Sequence, residues 1–240
     1  MSENMQLWDP RGAPVRATAE VYEELLDFKE ARVIDLGCGA GEVSRAIATK
    51  HKGASILALE VDTVQHEKNL EGPQLVNLEF ALGDATRIPV EDESVDIVLM
   101  MKSLHHIPPA DMGPALREVR RVLHPGGFVY VAEPPFAGAF NAIIRLFHDE
   151  REARAAAFAA LKDAVSSGGM ALEAEKFFLS PLHIADFADF EARYINTSHT
   201  VHRLSSSLRA QVEKQLKQHM TASGADFQIP MRVDLLRKQG

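Results

Sequence analysis

The stretch Val33-Ile34-Asp35-Leu36-Gly37-Cys38-Gly39-Ala40-Gly41 restricts the fold of this chain more than any other. Its apolar start is of strand type and does not alternate, as expected of a parallel strand buried on both faces. An acid closes the run, and three glycines at alternate positions follow. Glycine supplies backbone angles that side chains forbid and lets a ligand lie directly on the main chain, while the next helix opens with unpaired N–H groups. Glu42 to Lys50 continues as that helix, with Val43 and Ile47 four apart on one face. The stretch therefore reads as a strand turning sharply into a helix in an α/β fold.

The spacing separates the possible owners of such a turn. A dinucleotide fingerprint requires G-x-G-x-x-G with pyrophosphate at the helix start, and here position 42 is Glu, a poor neighbour for an anion. A phosphate-cradling loop requires Lys followed by Ser or Thr, and none follows. A purely structural connection remains open from the glycines alone. The pattern present, D-x-G-x-G-x-G, resembles the first motif of class I S-adenosylmethionine-dependent methyltransferases, whose cofactor carries no phosphate. The resemblance implies S-adenosyl-L-methionine as cofactor, with Asp35, Gly37, Cys38, Gly39 and Gly41 around its methionine and ribose parts.

The later strands extend this reading. Ser55 to Leu59 is a second strand ending in Glu60, 19 residues beyond Gly41. That is close to the offset of about 20 at which a carboxylate meets ribose hydroxyls in nucleotide folds. Glu60 is the first choice for this contact, Asp62 its competitor, and Val61 lies between them. Gln65 to Leu70 begins a helix that Gly72-Pro73 stops. Leu78 to Ala81 is a third strand, followed by Leu82-Gly83-Asp84-Ala85. The resemblance implies that Asp84 accepts from the adenine amino group and that Ala85 lies near the ring; a turn or helix cap is the plainer use of such an Asp. Ser94 to Met101 is a fourth strand, and Met101 and Lys102 at its exit complete the expected cofactor set.

Met112, Leu116, Val119 and Leu123 mark an amphipathic helix ended by Pro125-Gly126-Gly127, and Phe128 to Ala132 is a fifth strand closing in Glu133. The phrase from Leu116 to Gly127 is similar to the small-molecule methyltransferase branch that includes ubiquinone-pathway enzymes. The resemblance runs from Val33 to Glu133 and implies a Rossmann-like sheet of seven strands, mostly parallel with the last antiparallel, and helices on both faces. One domain is expected, organised as an N-terminal helical cover (1–30), a cofactor core (31–133), a helical insertion or lid (134–172) and C-terminal strands and helices (173–240).

Within the first part, Thr18 to Phe28 is helical, and Trp8 either covers a ligand or anchors the terminus. In the insertion, Phe140, Ile144 and Phe147 share a face that could serve an apolar or aromatic acceptor or simple packing, and Arg151 to Val165 is helical until Ser166-Ser167-Gly168-Gly169. Glu175 to Leu182 reads as strand six, and Ile184 to Tyr194 and Ser205 to Met220 as helices. The final strand alternates clearly, with Phe227, Ile229, Met231, Val233 and Leu235 on one side. Pro230 fits an edge or a bulge better than an inner strand.

The expected reaction is in-line transfer of a methyl group to a small-molecule acceptor. The activated sulfonium carries the hard step, so the protein supplies position and electrostatics. His105, His106 and Glu133 are the candidate bases, since they stand at strand exits and imidazole titrates near neutrality. Methylation of a protein side chain, and binding of the cofactor without catalysis, are the alternatives. No metal is expected, because His105-His106 occupy the ground where a metal-dependent enzyme needs carboxylates. His199 and His202 read as surface residues. A net charge of −8 leaves no footprint for nucleic acid. No apolar run approaches the roughly 20 residues of a membrane span, and Met1 to Pro10 shows no secretory signal. A cytoplasmic protein is expected; no heptad seam suggests an oligomeric state.

Overall fold

The computed structural model describes residues 5–196 and 202–240. Its strands are β1 (Arg32–Leu36), β2 (Ser55–Glu60), β3 (Leu78–Leu82), β4 (Val95–Met101), β5 (Leu123–Glu133), β6 (Met170–Ile184) and β7 (Ala225–Lys238). The helices are α1 (Thr18–Leu25), α2 (Glu42–Lys50), α3 (Thr63–Glu71), α4 (Pro109–Val122), α5 (Ala139–Ile144), α6 (Arg151–Ser166), α7 (Phe187–Phe190) and α8 (Ser206–Lys217). The strands form one sheet in the order β3-β2-β1-β4-β5-β7-β6. Neighbours from β3 to β5 are parallel, and β7 runs antiparallel to both β5 and β6. The chain builds outward from β1 first through β2 and β3, then restarts at β4 on its other side. That switch point opens a crevice at the carboxyl ends of β1 and β4.

Unbroken apolar strands are explained by burial on both faces. Ile34, Val98, Met100 and Val131 point to one face, under Met112 and Val119 of α4 and Leu161 of α6. Val33, Ile56, Leu99 and Tyr130 point to the other, with Ile47 of α2 and Val21 and Tyr22 of α1. A third cluster stands apart: Phe140 and Ile144 of α5, Phe190 of α7, Val212 and Leu216 of α8, and Phe227 at the start of β7. Among the described residues, no helix is long and apolar enough to cross a membrane.

Several boundaries differ from the sequence expectation for identifiable reasons. Helix α3 starts at Thr63, ahead of Gln65, because the Asp62 carboxylate caps it by accepting from the Val64 and Gln65 N–H groups. Helix α4 ends at Val122 and the chain enters β5 directly. Pro125-Gly126-Gly127 therefore lies inside β5, where its pairing with β4 slips between Val95 and Ile97. Strand β6 begins at Met170 and not at Glu175, because Gly168 at φ +82° turns the chain sharply after α6 and pairing with β7 starts at once. The expected helix from Ile184 splits into α7 and a π-helical turn, Glu191–Ile195.

Pro230 sits in an inner strand after all. Its partner Leu179 spends both backbone groups on the N-terminal segment, donating to Pro14 O (2.8 Å) and accepting from Arg16 N–H (3.0 Å). The Leu179–Pro230 pair thus has no ladder bond to lose, and β5 has already ended, since its last pair with β7 is Glu133 with Arg232. The same segment straps the outer edge of β6, which would otherwise expose unpaired backbone. Trp8 belongs to that strap, its ring edge-on to Phe177 at 5.7 Å. Trp8 thereby anchors this segment on β6.

Two polar alternates of β7 are not solvent-facing either. Arg232 and Asp234 are buried, with Arg232 Nε donating to Asp234 Oδ2 (2.7 Å) and its guanidinium over the Phe158 ring of α6 (4.2 Å). Burial, opposed by Arg232, holds Asp234 up at about 6.

Candidate active site

The glycine turn is strapped to the exit of β2: Gly37 and Cys38 N–H both donate to Leu59 O, at 2.9 and 3.0 Å. Gly37, Gly39 and Gly41 all have positive φ (76°, 53° and 69°). A Cβ on Gly37 would lie 2.7 Å from Ser103 Cβ, and one on Gly41 would lie 2.5 Å from the Phe80 ring. At Gly39 it would meet nothing within 4 Å. Packing requires the outer two glycines, whereas the middle one faces open space in which a ligand can lie against the main chain.

Both peptide groups of Gly39 are held in place. Its N–H donates to Glu60 Oε2 (2.8 Å), and its carbonyl accepts from Asn69 Nδ2 (2.7 Å). Glu60 Oε1 also accepts from the N–H groups of Val61 (2.8 Å) and Asp62 (3.0 Å). The acid expected at the ribose is therefore joined to the glycine turn, while Asp62 is committed to capping α3. Buried Asn69 was invisible in the sequence, being one polar residue in a helical stretch. Arg45 adds to the clamp, donating to Ala40 O (2.6 Å) and Asn69 O (2.9 Å).

Asp35 lies behind the turn, not on its open side. It is 1% exposed and accepts from Ser44 Oγ of α2 at 2.5 Å. Burial, partly opposed by the Ser44 hydrogen bond and reinforced by nearby Glu60, pushes its carboxyl up to about 6. Because the folded state binds this proton more tightly than the unfolded chain, stability falls as pH rises from about 4 through 6. The difference of about two units corresponds to at most about 3 kcal/mol. Asp35→Asn should therefore stabilise the protein at pH 8 by up to that amount and give no gain at pH 4. Denaturant titrations at the two pH values check this, and a change of equal size at both would contradict it.

The β3 exit lies alongside, since Gly83 N–H donates to Glu60 O (3.0 Å). Val61 and Leu82, at neighbouring strand exits, are exposed apolar side chains at 72% and 49%. Asp84 is exposed and accepts from Thr86 N–H and Oγ1, both at 2.7 Å, and these bonds lower its pKa. Ala85 is half-buried against the core. On the other side, half-buried Met101 precedes Lys102, a left-handed non-glycine residue (φ 59°) whose N–H donates to Ala132 O (2.7 Å). Ser103 Oγ then donates to Leu36 O (2.7 Å), tying the β4 exit to the glycine turn.

The three candidate bases form one assembly with a member the sequence did not suggest. Glu133, buried at the end of β5, accepts from Leu104 N–H (3.0 Å) and pairs with His105 Nδ1. His105 Nε2 lies 3.4 Å from Glu150 Oε1, just ahead of α6. Glu150 is also bonded to His148 Nε2 (2.9 Å) and Arg154. Burial opposes charge on His105, but Glu133 and Glu150 outweigh it and raise the ring to about 9. An imidazole that keeps its proton at neutral pH is not a general base, so His105 orients its neighbours. His106 is exposed, its ring tilted against that of His105 with centroids 4.2 Å apart. His199 lies outside the described residues. His202, expected at the surface, packs its ring 4.7 Å from His148.

Residues 34–131 match a family described as methyltransferase domain. Methyltransferase GfsG of Streptomyces halstedii is 31% identical over 130 residues, covering 52% of this chain and 46% of the relative. The 27-O-demethylrifamycin SV methyltransferase of Amycolatopsis mediterranei is 30% identical over 129 residues, covering 50% and 46%. The chain thus spans about half the length of these curated relatives. Across nearly the whole chain the fold is shared with a solved structure, a putative methyltransferase (BH2331) of Bacillus halodurans, at TM-score 0.64 and 17% identity, covering 92% and 98%.

Proposed function

We propose that this chain, whose residues 34–131 match a methyltransferase domain, is a cytoplasmic class I S-adenosylmethionine-dependent enzyme that methylates a small-molecule acceptor. The observation that carries the reading is the open cradle at Gly39, fixed on one side by Glu60 and on the other by Asn69. Such a cradle fits a cofactor without phosphate, because a carboxylate at that place would repel an anion. When bound, S-adenosylmethionine supplies an already activated methyl group.

The chain's own residues then do three things. Glu60 would accept from the ribose hydroxyls, and the backbone from Gly37 to Gly41 would hold the methionine part. Val61, Asp84, Ala85, Met101 and Lys102 would hold the rest of the cofactor. His105 and Glu133, locked together at the exits of β4 and β5, fix the side from which an acceptor approaches. The aromatic cluster of Phe140, Phe147, Phe190 and Tyr194 in the following segment, with Phe147 and Tyr194 half-buried, would supply apolar surface for it. The relative acting on 27-O-demethylrifamycin SV supports a small-molecule acceptor.

Calorimetric titration with S-adenosylmethionine and S-adenosylhomocysteine tests the cofactor site. Saturable binding is expected, weakened about tenfold or more in Glu60→Ala, as for loss of hydrogen bonds to a charged group worth about 1.5–3 kcal/mol. If neither ligand binds, the turn is only a structural connection. Release of S-adenosylhomocysteine in a panel of small hydroxylated or amino compounds then tests the acceptor class, and turnover restricted to protein acceptors would overturn it.

A further inference from the structure

We propose that His105, His106 and Glu150 form a binding site for a divalent transition-metal ion, with His148 beside it as a further donor. Ligand atoms of His105, His106 and Glu150 all lie within 4.8 Å of one another. His105 Nε2 and Glu150 Oε1 are 3.4 Å apart. Two ligands of a tetrahedral zinc ion, at about 2.0–2.1 Å from the metal, are separated by about 3.3 Å. Glu150 Oε1 is also 2.9 Å from His148 Nε2, so a single carboxylate oxygen lies between two imidazole nitrogens.

The groups behind the cluster are arranged as metal sites arrange theirs. Glu133 takes His105 Nδ1, which fixes the ring and aims Nε2 at Glu150. Backbone N–H of Leu104 holds Glu133 in turn, and Arg154 holds the second oxygen of Glu150. Two imidazoles with one carboxylate favour zinc, iron(II), copper(II) or nickel over magnesium and calcium, which prefer all-oxygen shells. Because Glu150 belongs to the insertion and His105 to the β4 exit, the ion would join the insertion to the sheet beside the crevice.

The test uses the full chain, stripped with a chelator and titrated with zinc(II), then with cobalt(II) to read coordination from its visible spectrum. One ion per chain is expected, with imidazole ligation in the cobalt spectrum. His106→Ala, at an exposed position that leaves the core intact, and Glu150→Gln should each weaken binding at least about tenfold. His183→Ala, an exposed histidine paired with Asp226, should leave it unchanged. Absence of stoichiometric zinc, or affinity unaltered in both His106→Ala and Glu150→Gln, would overturn the proposal. The titration requires no S-adenosylmethionine, so its outcome is separate from that of the methyl-transfer reading.

Discussion

Gly39→Arg is expected to weaken S-adenosylhomocysteine binding by at least about a hundredfold, which is about 2.7 kcal/mol, while leaving a cooperatively folded protein. The separation of the two effects follows from the geometry of the turn. A Cβ at Gly39 meets no protein atom within 4 Å, so the new side chain displaces only what would lie on the turn. The left-handed backbone at φ 53° costs about 1–2 kcal/mol, a shift in melting temperature of a few degrees for a chain of this size. Gly41→Ala should behave in the opposite sense. Its Cβ would press into the Phe80 ring at 2.5 Å, so stability falls before any ligand is considered. Calorimetric binding and melting curves on the two variants distinguish these cases. Undiminished affinity in Gly39→Arg would mean that no ligand lies on the turn.

The largest loss of stability is expected from Arg232→Met. Its guanidinium is the buried partner of Asp234, and Glu133 and Glu175 also act on the Asp234 carboxyl from β5 and β6. Removing one partner of a buried pair leaves an uncompensated charge and costs about 3–5 kcal/mol. The loss should be greater at pH 8 than at pH 5. Asp234 already titrates at about 6, above its unfolded value, and without Arg232 it rises further. The penalty belongs to the charged form, so it grows as pH rises through that value and fades as pH falls towards 4. Adding Asp234→Asn to Arg232→Met should recover most of the stability at pH 8. Guanidinium unfolding at both pH values measures these differences, and a loss below about 1 kcal/mol without pH dependence would contradict the account.

What the sequence made legible was local. Strand, acid and alternate glycines lie within nine consecutive positions, and Glu60 stands at the end of a recognisable strand, so spacing together with the family resemblance pointed to one crevice for both. The clamp on that crevice was not legible, because Asn69, Arg45 and Ser103 reach the turn from other elements. The same holds for Glu150, whose approach to His105 depends on how the insertion folds back. Alternation in β7 identified its apolar face correctly, but it carried no sign that Arg232 and Asp234 between those positions are buried under α6. Pro230 argued for an edge because the sequence does not show that Leu179 turns its backbone groups away from it.

The third hydrophobic cluster has an evolutionary consequence. Every buried member of it, from Phe140 to Phe227, follows the stretch matched by the methyltransferase family, whereas the glycine turn and Glu60 lie within that stretch. Mutations that reshape this cluster can therefore accumulate without disturbing the packing beneath the turn. A lineage could retain the methyl donor and exchange acceptors by rebuilding one small core. The same partition makes the members of this cluster, such as Phe140, Ile144, Phe190, Val212 and Phe227, the natural positions for a library aimed at new acceptors.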